Sequence, residues 1–204
     1  MGSAAIRTVG EILKASTDYL AGKHVDEPGL VAEHLLARLL KCPRLELALH
    51  HGKALGEQQL EAMRRGIKRA GEGAPVQSIL GQLDFMGHSF KVDKSVLIPR
   101  PETEVLVDTM LKCEALWSSG KPAILDVGTG SGCIVISLAL AKPEGLYIGL
   151  DPSEEALELA RQNAAAHGLT DKIGFSSAEV CDLVEPESLD AVVANLPYIP
   201  AADC

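Results

Sequence analysis

Aromatic side chains are scarce. Phe, Trp and Tyr make up 3% of the 204 residues, which leaves few stacking platforms for single-stranded nucleic acid. Positive charge is short as well: 19 Lys and Arg stand against 28 Asp and Glu, a formal net charge of -9, where a protein gripping many phosphates carries a basic surface. No apolar run approaches the length of a membrane span. The opening Met1-Gly2-Ser3-Ala4-Ala5-Ile6 lacks the basic-then-apolar pattern of a secretory signal, and Ile6 stands where myristoylation requires Ser or Thr. The cysteines, Cys42, Cys113, Cys133, Cys181 and Cys204, form no CxxC pair and accompany no His cluster. A disulfide framework and a metal site are therefore not expected; reduced, mostly buried thiols in a cytoplasmic protein are. What is present, 47% hydrophobic and 23% charged residues, is the make-up of a globular chain long enough for one substantial core or two small domains.

Apolar spacing predicts helices through the first third of the chain. Val9, Ile12, Leu13 and Leu20 share one helical face. A second helix is expected from Asp26 as N-cap, with Pro28 in its first turn and Leu35 and Leu39 on its stripe. A short segment follows over 43–49, then a helix over 57–70 carrying Leu60, Met63 and Ile67, broken by Gly71 and Gly73. A bundle of about 70 residues is small for a self-sufficient core. Between 83 and 92 the pattern changes to two short strands around a Gly87-His88 turn, stopped by Pro99 and Pro101. From there strands and helices alternate: helix 102–117, strand 123–127, helix 132–140, strand 146–150, helix 153–167 capped by Ser153, a weaker strand 173–176 and a strong one over 189–194. Such alternation builds a parallel sheet with helices on both faces. The expected domains are 1–74, helical; 75–100, a linker with a β-hairpin; and 101–204, α/β. The last strand, so close to Cys204, would be an open edge, so the sheet is expected to be truncated after its fourth strand.

The loop Asp126-Val127-Gly128-Thr129-Gly130-Ser131-Gly132 follows a strand and opens a helix. Its glycines permit a tight turn and close approach of the backbone to a ligand, and the helix N-terminus offers free N–H groups. About 20 residues on, Asp151 stands at the tip of the next strand, where an acid can accept ribose hydroxyls of an adenosine ligand. The spacing is GxGxG and Cys133 replaces the third glycine of the dinucleotide fingerprint. S-adenosyl-L-methionine has no pyrophosphate and needs less of that apparatus; its amino and carboxylate groups can sit against Asp126 and the loop amides of Gly128, Thr129, Gly130, Ser131 and Gly132. A glycine-rich turn that merely joins strand to helix is the competing account. After the third strand, Glu179 can take the adenine amino group with Val180 packed on the ring, although a solvated loop acid fits the same spacing.

Asn195-Leu196-Pro197-Tyr198 follows the strand over 189–194, at the same carboxyl edge and beside the glycine loop. An amide nitrogen is a poor nucleophile because its lone pair is delocalised. Two acceptors can hold its NH2 and aim the lone pair: the Asn195 side-chain oxygen, and the Leu196 carbonyl, set by the extended geometry that Pro197 imposes on the residue before it. Tyr198 can pack on the planar group. Asn195 also borders the cofactor. Asn and Pro are equally at home in a plain turn after a strand.

Leu97-Ile98-Pro99-Arg100-Pro101-Glu102-Thr103-Glu104 is the most specific string in the chain. A hairpin end followed by an acid-rich helix start explains its prolines and acids, not the whole. With Pro75-Val76-Gln77-Ser78-Ile79-Leu80-Gly81, the glycine loop, Asp151 and the Asn195 tetrapeptide, the chain resembles, over essentially its whole length, the release-factor glutamine N5-methyltransferases, the HemK/PrmC family. The resemblance implies a Rossmann-like class I S-adenosylmethionine-dependent methyltransferase domain, preceded by a small helical domain and a hairpin. It implies as substrate the glutamine of the Gly-Gly-Gln loop of class 1 peptide chain release factors. It places Gly128 to Gly132 and Asp151 on the cofactor, Asn195 to Tyr198 on the glutamine amide, and the helical domain on the release factor. A monomer without direct nucleic-acid contact is expected. Leu196 departs from the family's usual Asn-Pro-Pro-Tyr, and Val180 stands where an aromatic is frequent. Asn-Leu-Pro-Tyr also resembles the motif of ribosomal RNA adenine dimethyltransferases, which keeps open a nucleic-acid adenine N6-methyltransferase acting on a flipped base. A cofactor-binding fragment without catalysis is the other alternative, and an NAD enzyme is disfavoured by the glycine spacing. Arg100 and Glu102 either touch the cofactor or brace the hairpin.

Overall fold

The computed structural model describes residues 8–118, 120–179 and 187–196. The chain divides into two compact units, 1–81 and 82–204.

The first unit is helical. Helix α1 (Val9–Ala21) is capped by Thr8: the hydroxyl accepts the Glu11 N–H at 3.3 Å, and the Glu11 carboxylate accepts the Thr8 N–H at 2.9 Å. Helix α2 (Pro28–Leu40) starts with proline at its first position, but Asp26 is not its cap. Glu27 occupies the cap position at φ 47 with no side-chain hydrogen bond. A 3-10 segment (Arg44–His50), α3 (Glu57–Gly71) and α4 (Val76–Leu80) complete the unit. Val9, Leu20, Leu36 and Met63 fill its core. Helix α4 belongs to this core through Val76, Ile79 and Leu80, so the stretch expected as a linker is divided between the two units.

The second unit opens with the hairpin β1 (Gln82–Phe85) and β2 (His88–Lys91). Phe85 faces His88 across the ladder, so the turn is Met86-Gly87 rather than Gly87-His88. Both turn residues have positive φ, 49° and 76°, the geometry of a two-residue I′ loop. Period-two burial of Leu83, Phe85 and Phe90 places the hairpin's apolar face in the core that also holds Ile124, Val135 and Leu138. Full burial of each such side chain contributes about 1.5–3 kcal/mol. Helix α5 (Pro101–Lys112) stops at Cys113 and a single turn, α6 (Glu114–Trp117), follows, where one helix was expected. The Met110 carbonyl near the end of α5 accepts both the Cys113 N–H at 3.1 Å and the Trp117 indole N–H at 2.8 Å.

Then come β3 (Ala123–Val127), α7 (Cys133–Ala141), β4 (Leu146–Leu150), α8 (Glu154–Ala166), β5 (Ile173–Ser176) and β6 (Ala191–Ala194). Ser153 caps α8 by accepting the Ala156 N–H at 3.3 Å. Residues 189 and 190 precede β6 rather than belonging to it; the Asp190 carboxylate accepts the Ala123 N–H at 2.8 Å and pins the start of β3. The strands are all parallel, in the order β5-β4-β3-β6. This is a Rossmann-like, doubly wound arrangement. The chain runs outward from β3 through β4 to β5, then returns to the other side of β3. That reversal opens a crevice at the carboxyl ends of β3 and β6. Among the described residues β6 is an edge, with Val192 exposed. No helix among the described residues is long and apolar enough to cross a membrane.

Candidate active site

Asp126, the fourth residue of β3, is fully buried. One of its oxygens accepts the Thr129 hydroxyl at 2.7 Å, and the other, Oδ1, has no hydrogen-bond partner. Burial, reinforced by the nearby Asp151 charge and opposed by the Thr129 hydroxyl and the Val135 amide, pushes the carboxyl from 3.8 up to about 6.

The loop then turns through Gly128, Gly130 and Gly132, all at positive φ. At Gly132 (φ 77) a Cβ would lie 2.9 Å from Ile136 Cδ1 and 3.2 Å from the Ala160 Cβ, so both conformation and packing demand glycine where the loop enters α7. At Gly128 (φ 71) a Cβ would meet Leu196 Cδ2 at 2.6 Å. Thr129 and Ser131 are buried, and Thr129 spends its hydroxyl on Asp126. The Ser131 hydroxyl, like Asp126 Oδ1, has no partner, while the Thr129, Gly130 and Gly132 N–H groups donate to Leu150, Asp151 and Thr129 and so are not the free loop amides expected for the cofactor. Cys133 is buried, which pushes its thiol up to about 12. Of the other described thiols, Cys42 is half-buried and Cys113 exposed, against the expectation of mostly buried cysteines.

Asp151, one residue past β4, is half-buried and held by two backbone donors, the Gly130 N–H at 2.9 Å and the Ser153 N–H at 2.9 Å. Each oxygen keeps a second lone pair for another donor. Glu179 is exposed, three residues beyond β5.

Register decides the rest. Val127 pairs with Ala194, so Gly128 and Asn195 leave the sheet side by side. Asn195 is half-buried, and its Nδ2 donates to the Thr103 hydroxyl at 2.9 Å, which leaves its Oδ1 as acceptor. The Leu196 side chain is half-exposed and rests on Gly128, so this residue contributes more than a carbonyl. Val180, Pro197 and Tyr198 lie outside the described residues.

The donor set fits S-adenosylmethionine. An orphaned carboxylate oxygen at Asp126 seeks a donor such as an α-ammonium, Asp151 retains lone pairs for ribose hydroxyls, and the loop beneath carries no side chain at Gly128 or Gly130.

Three residues of this region were not singled out from the sequence. Thr103, buried in the first turn of α5, holds Asn195. Glu104 accepts the Met86 N–H at 2.6 Å and so braces the hairpin turn, the task considered for Arg100 and Glu102, which are both exposed. Asn163 on α8 is buried; it accepts the Lys91 N–H at 2.8 Å and donates to the Lys91 carbonyl at 3.0 Å and the Ser131 carbonyl at 2.8 Å. Thr103 and Glu104 lie inside the 97–104 string, which was the available signal; nothing in the sequence marked Asn163.

Known proteins match both units of the chain. The PrmC N-terminal domain model matches residues 11–81, and a methyltransferase domain model matches 118–204. The whole chain is 42% identical to the release factor glutamine methyltransferase of Chlorobaculum tepidum, of which it covers 71%. It is 36% identical to the protein of that name from Rhodopirellula baltica over 96% of this chain and 67% of the relative. The match to the Geobacter sulfurreducens protein of the same name is also 36%, over 97% and 68%.

Proposed function

We propose, since this chain belongs to the family of release factor glutamine methyltransferases, that it transfers a methyl group from S-adenosyl-L-methionine to the side-chain amide nitrogen, N5, of the glutamine in the Gly-Gly-Gln motif of a class 1 peptide chain release factor. The observation that carries the reading is the Asn195 carboxamide, its nitrogen held at 2.9 Å by Thr103 and its oxygen left to accept, next to the glycine loop.

When bound, the cofactor would supply a methyl group on a sulfonium, whose sulfur would keep the bonding pair as a neutral thioether while the methylated amide nitrogen gives up a proton, so that no strong base is needed beforehand. The rest is positioning. Asn195 Oδ1 and the Leu196 carbonyl accept the two N–H bonds of the glutamine amide and turn its lone pair toward the methyl group. The gain is alignment and desolvation. The role proposed for Tyr198 is contact with the amide plane, and for Pro197 restriction of the residue before it to extended geometry. Asp126 and the loop backbone at Gly128 and Ser131 take the amino-acid end of the cofactor, since the Thr129, Gly130 and Gly132 N–H groups already donate to Leu150, Asp151 and Thr129, and Asp151 takes the ribose. Glu179 and Val180 take the adenine, and Asn195 borders the cofactor. The same reading makes the protein a cytoplasmic monomer that docks a protein and no nucleic acid.

Labelled methyl from S-adenosylmethionine should appear on a purified release factor and not on the same factor with its Gly-Gly-Gln glutamine changed. Asn195→Ala should lower transfer by about 10²–10³-fold while cofactor affinity holds. Label on RNA instead of the factor would favour the adenine methyltransferase. Comparable turnover in the Asn195 variant would sink the role given to that residue.

A further inference from the structure

Hairpin-end and helix-start chemistry accounts for the prolines of 97–104, and Glu104 is engaged at the hairpin turn. Thr103 has no such task. It is buried at the third position of α5, where a valine would fill the same volume, yet its hydroxyl meets Asn195 across 92 residues of sequence.

We infer that Thr103 is a positioning residue for methyl transfer, fixing the Asn195 carboxamide with its oxygen toward the substrate amide; the inference rests on the function proposed above. The two ends of an asparagine side chain have nearly the same shape, and the torsion that exchanges them is broad and two-fold. Packing therefore does not choose between them. The choice decides the chemistry, because a glutamine NH2 brings two donors. An oxygen facing it accepts a hydrogen bond, whereas an amide nitrogen facing it sets N–H against N–H. The Thr103 hydroxyl, 2.9 Å from Nδ2, accepts from the nitrogen end and so holds the productive orientation.

The test compares Thr103→Val, which keeps the shape and loses the acceptor, with Thr103→Ser, which keeps the acceptor. In transfer to the release factor, Thr103→Val should lose kcat by about tenfold or more with KM for the factor little changed, and cofactor affinity should hold. Thr103→Ser should recover most of the rate. On an Asn195→Ala background, Thr103→Val should cost nothing further, because the hydroxyl acts through the residue already removed. A Thr103→Val enzyme at the wild-type rate, a serine variant as slow as the valine variant, or an equal loss on both backgrounds would overturn the inference.

A measurement free of turnover covers the case in which the valine variant fails to fold or the wild type labels no release factor. The Asn195 side-chain amide, read by nitrogen-edited NMR, should show one proton shifted and protected from exchange in the wild type and in Thr103→Ser. Rapid exchange of both protons in the wild type would refute the inference. Absence of label on any factor with that signature present would refute the proposed substrate alone.

Discussion

Asp126 is the costliest single residue of the site. A carboxylate with no exposure and one oxygen unpartnered gains little from its surroundings, and burial holds its pKa at about 6 instead of 3.8. Because folding raises the pKa, the folded chain binds the proton more tightly than the unfolded chain over that interval. The stability this contributes is complete below about 3.8 and is lost as pH rises through about 6. Asp126→Asn keeps the shape and cannot ionise. It should unfold at a higher temperature than the wild type at pH 8, by at most about 3 kcal/mol, and the gap should close toward pH 4. Thermal melts at the two pH values decide it: a gap independent of pH would mean that the carboxyl is not the source. The same variant should bind S-adenosylmethionine more weakly, if the orphaned oxygen is the partner of the ammonium group.

Among the elements, α8 does more than flank the sheet. Through Asn163 it ties β2 to the main chain of the glycine loop, with each polar atom of the carboxamide engaged. Such a satisfied buried group fixes geometry, and its removal leaves the partners orphaned. Asn163→Leu, close in volume, strands the Lys91 N–H and carbonyl and the Ser131 carbonyl. Denaturant unfolding should show a loss of about 3 kcal/mol or more, together with weaker cofactor binding because the loop loses its support. A variant with unchanged stability and affinity would reduce Asn163 to a space-filler. The interrupted helix at Cys113 and the shifted hairpin turn belong to the same scale. In both, hydrogen bonds chose the boundary: Trp117 to Met110, and the Phe85–His88 pair. Apolar spacing carries no record of either.

At the scale of the whole molecule, charge and chain division matter. Each unit has its own core, and a net charge of -9 opposes any polyanionic partner. Methyl transfer to a release factor should therefore be indifferent to excess transfer RNA at moderate salt. Strong competitive inhibition, relieved by salt, would reveal a basic nucleic-acid-binding face and count against the protein substrate. The family-model matches, 11–81 and 118–204, fall one in each unit, and the chain spans 67–71% of the length of the relatives named above.

The amino-acid sequence alone determined the local chemistry: a glycine loop between strand and helix, an acid at the next strand tip, and an Asn-Leu-Pro-Tyr segment after another strand. Each follows from rules that act within a few residues, such as the positive φ that only glycine adopts freely, the reach of a cap, or the alternation of buried positions. The α/β class followed from the same patterns summed along the chain. The tertiary structure decided which of these pieces meet. The return of β6 to the far side of β3 sets Asn195 beside Gly128, and packing then joins Thr103 to Asn195 across 92 residues and Lys91 to Asn163 across 72. Those pairings depend on strand order and helix docking, which arise from burial shared over the whole core. No single segment encodes them, and so the hydroxyl that orients the amide and the amide that steadies the loop became visible only in the fold.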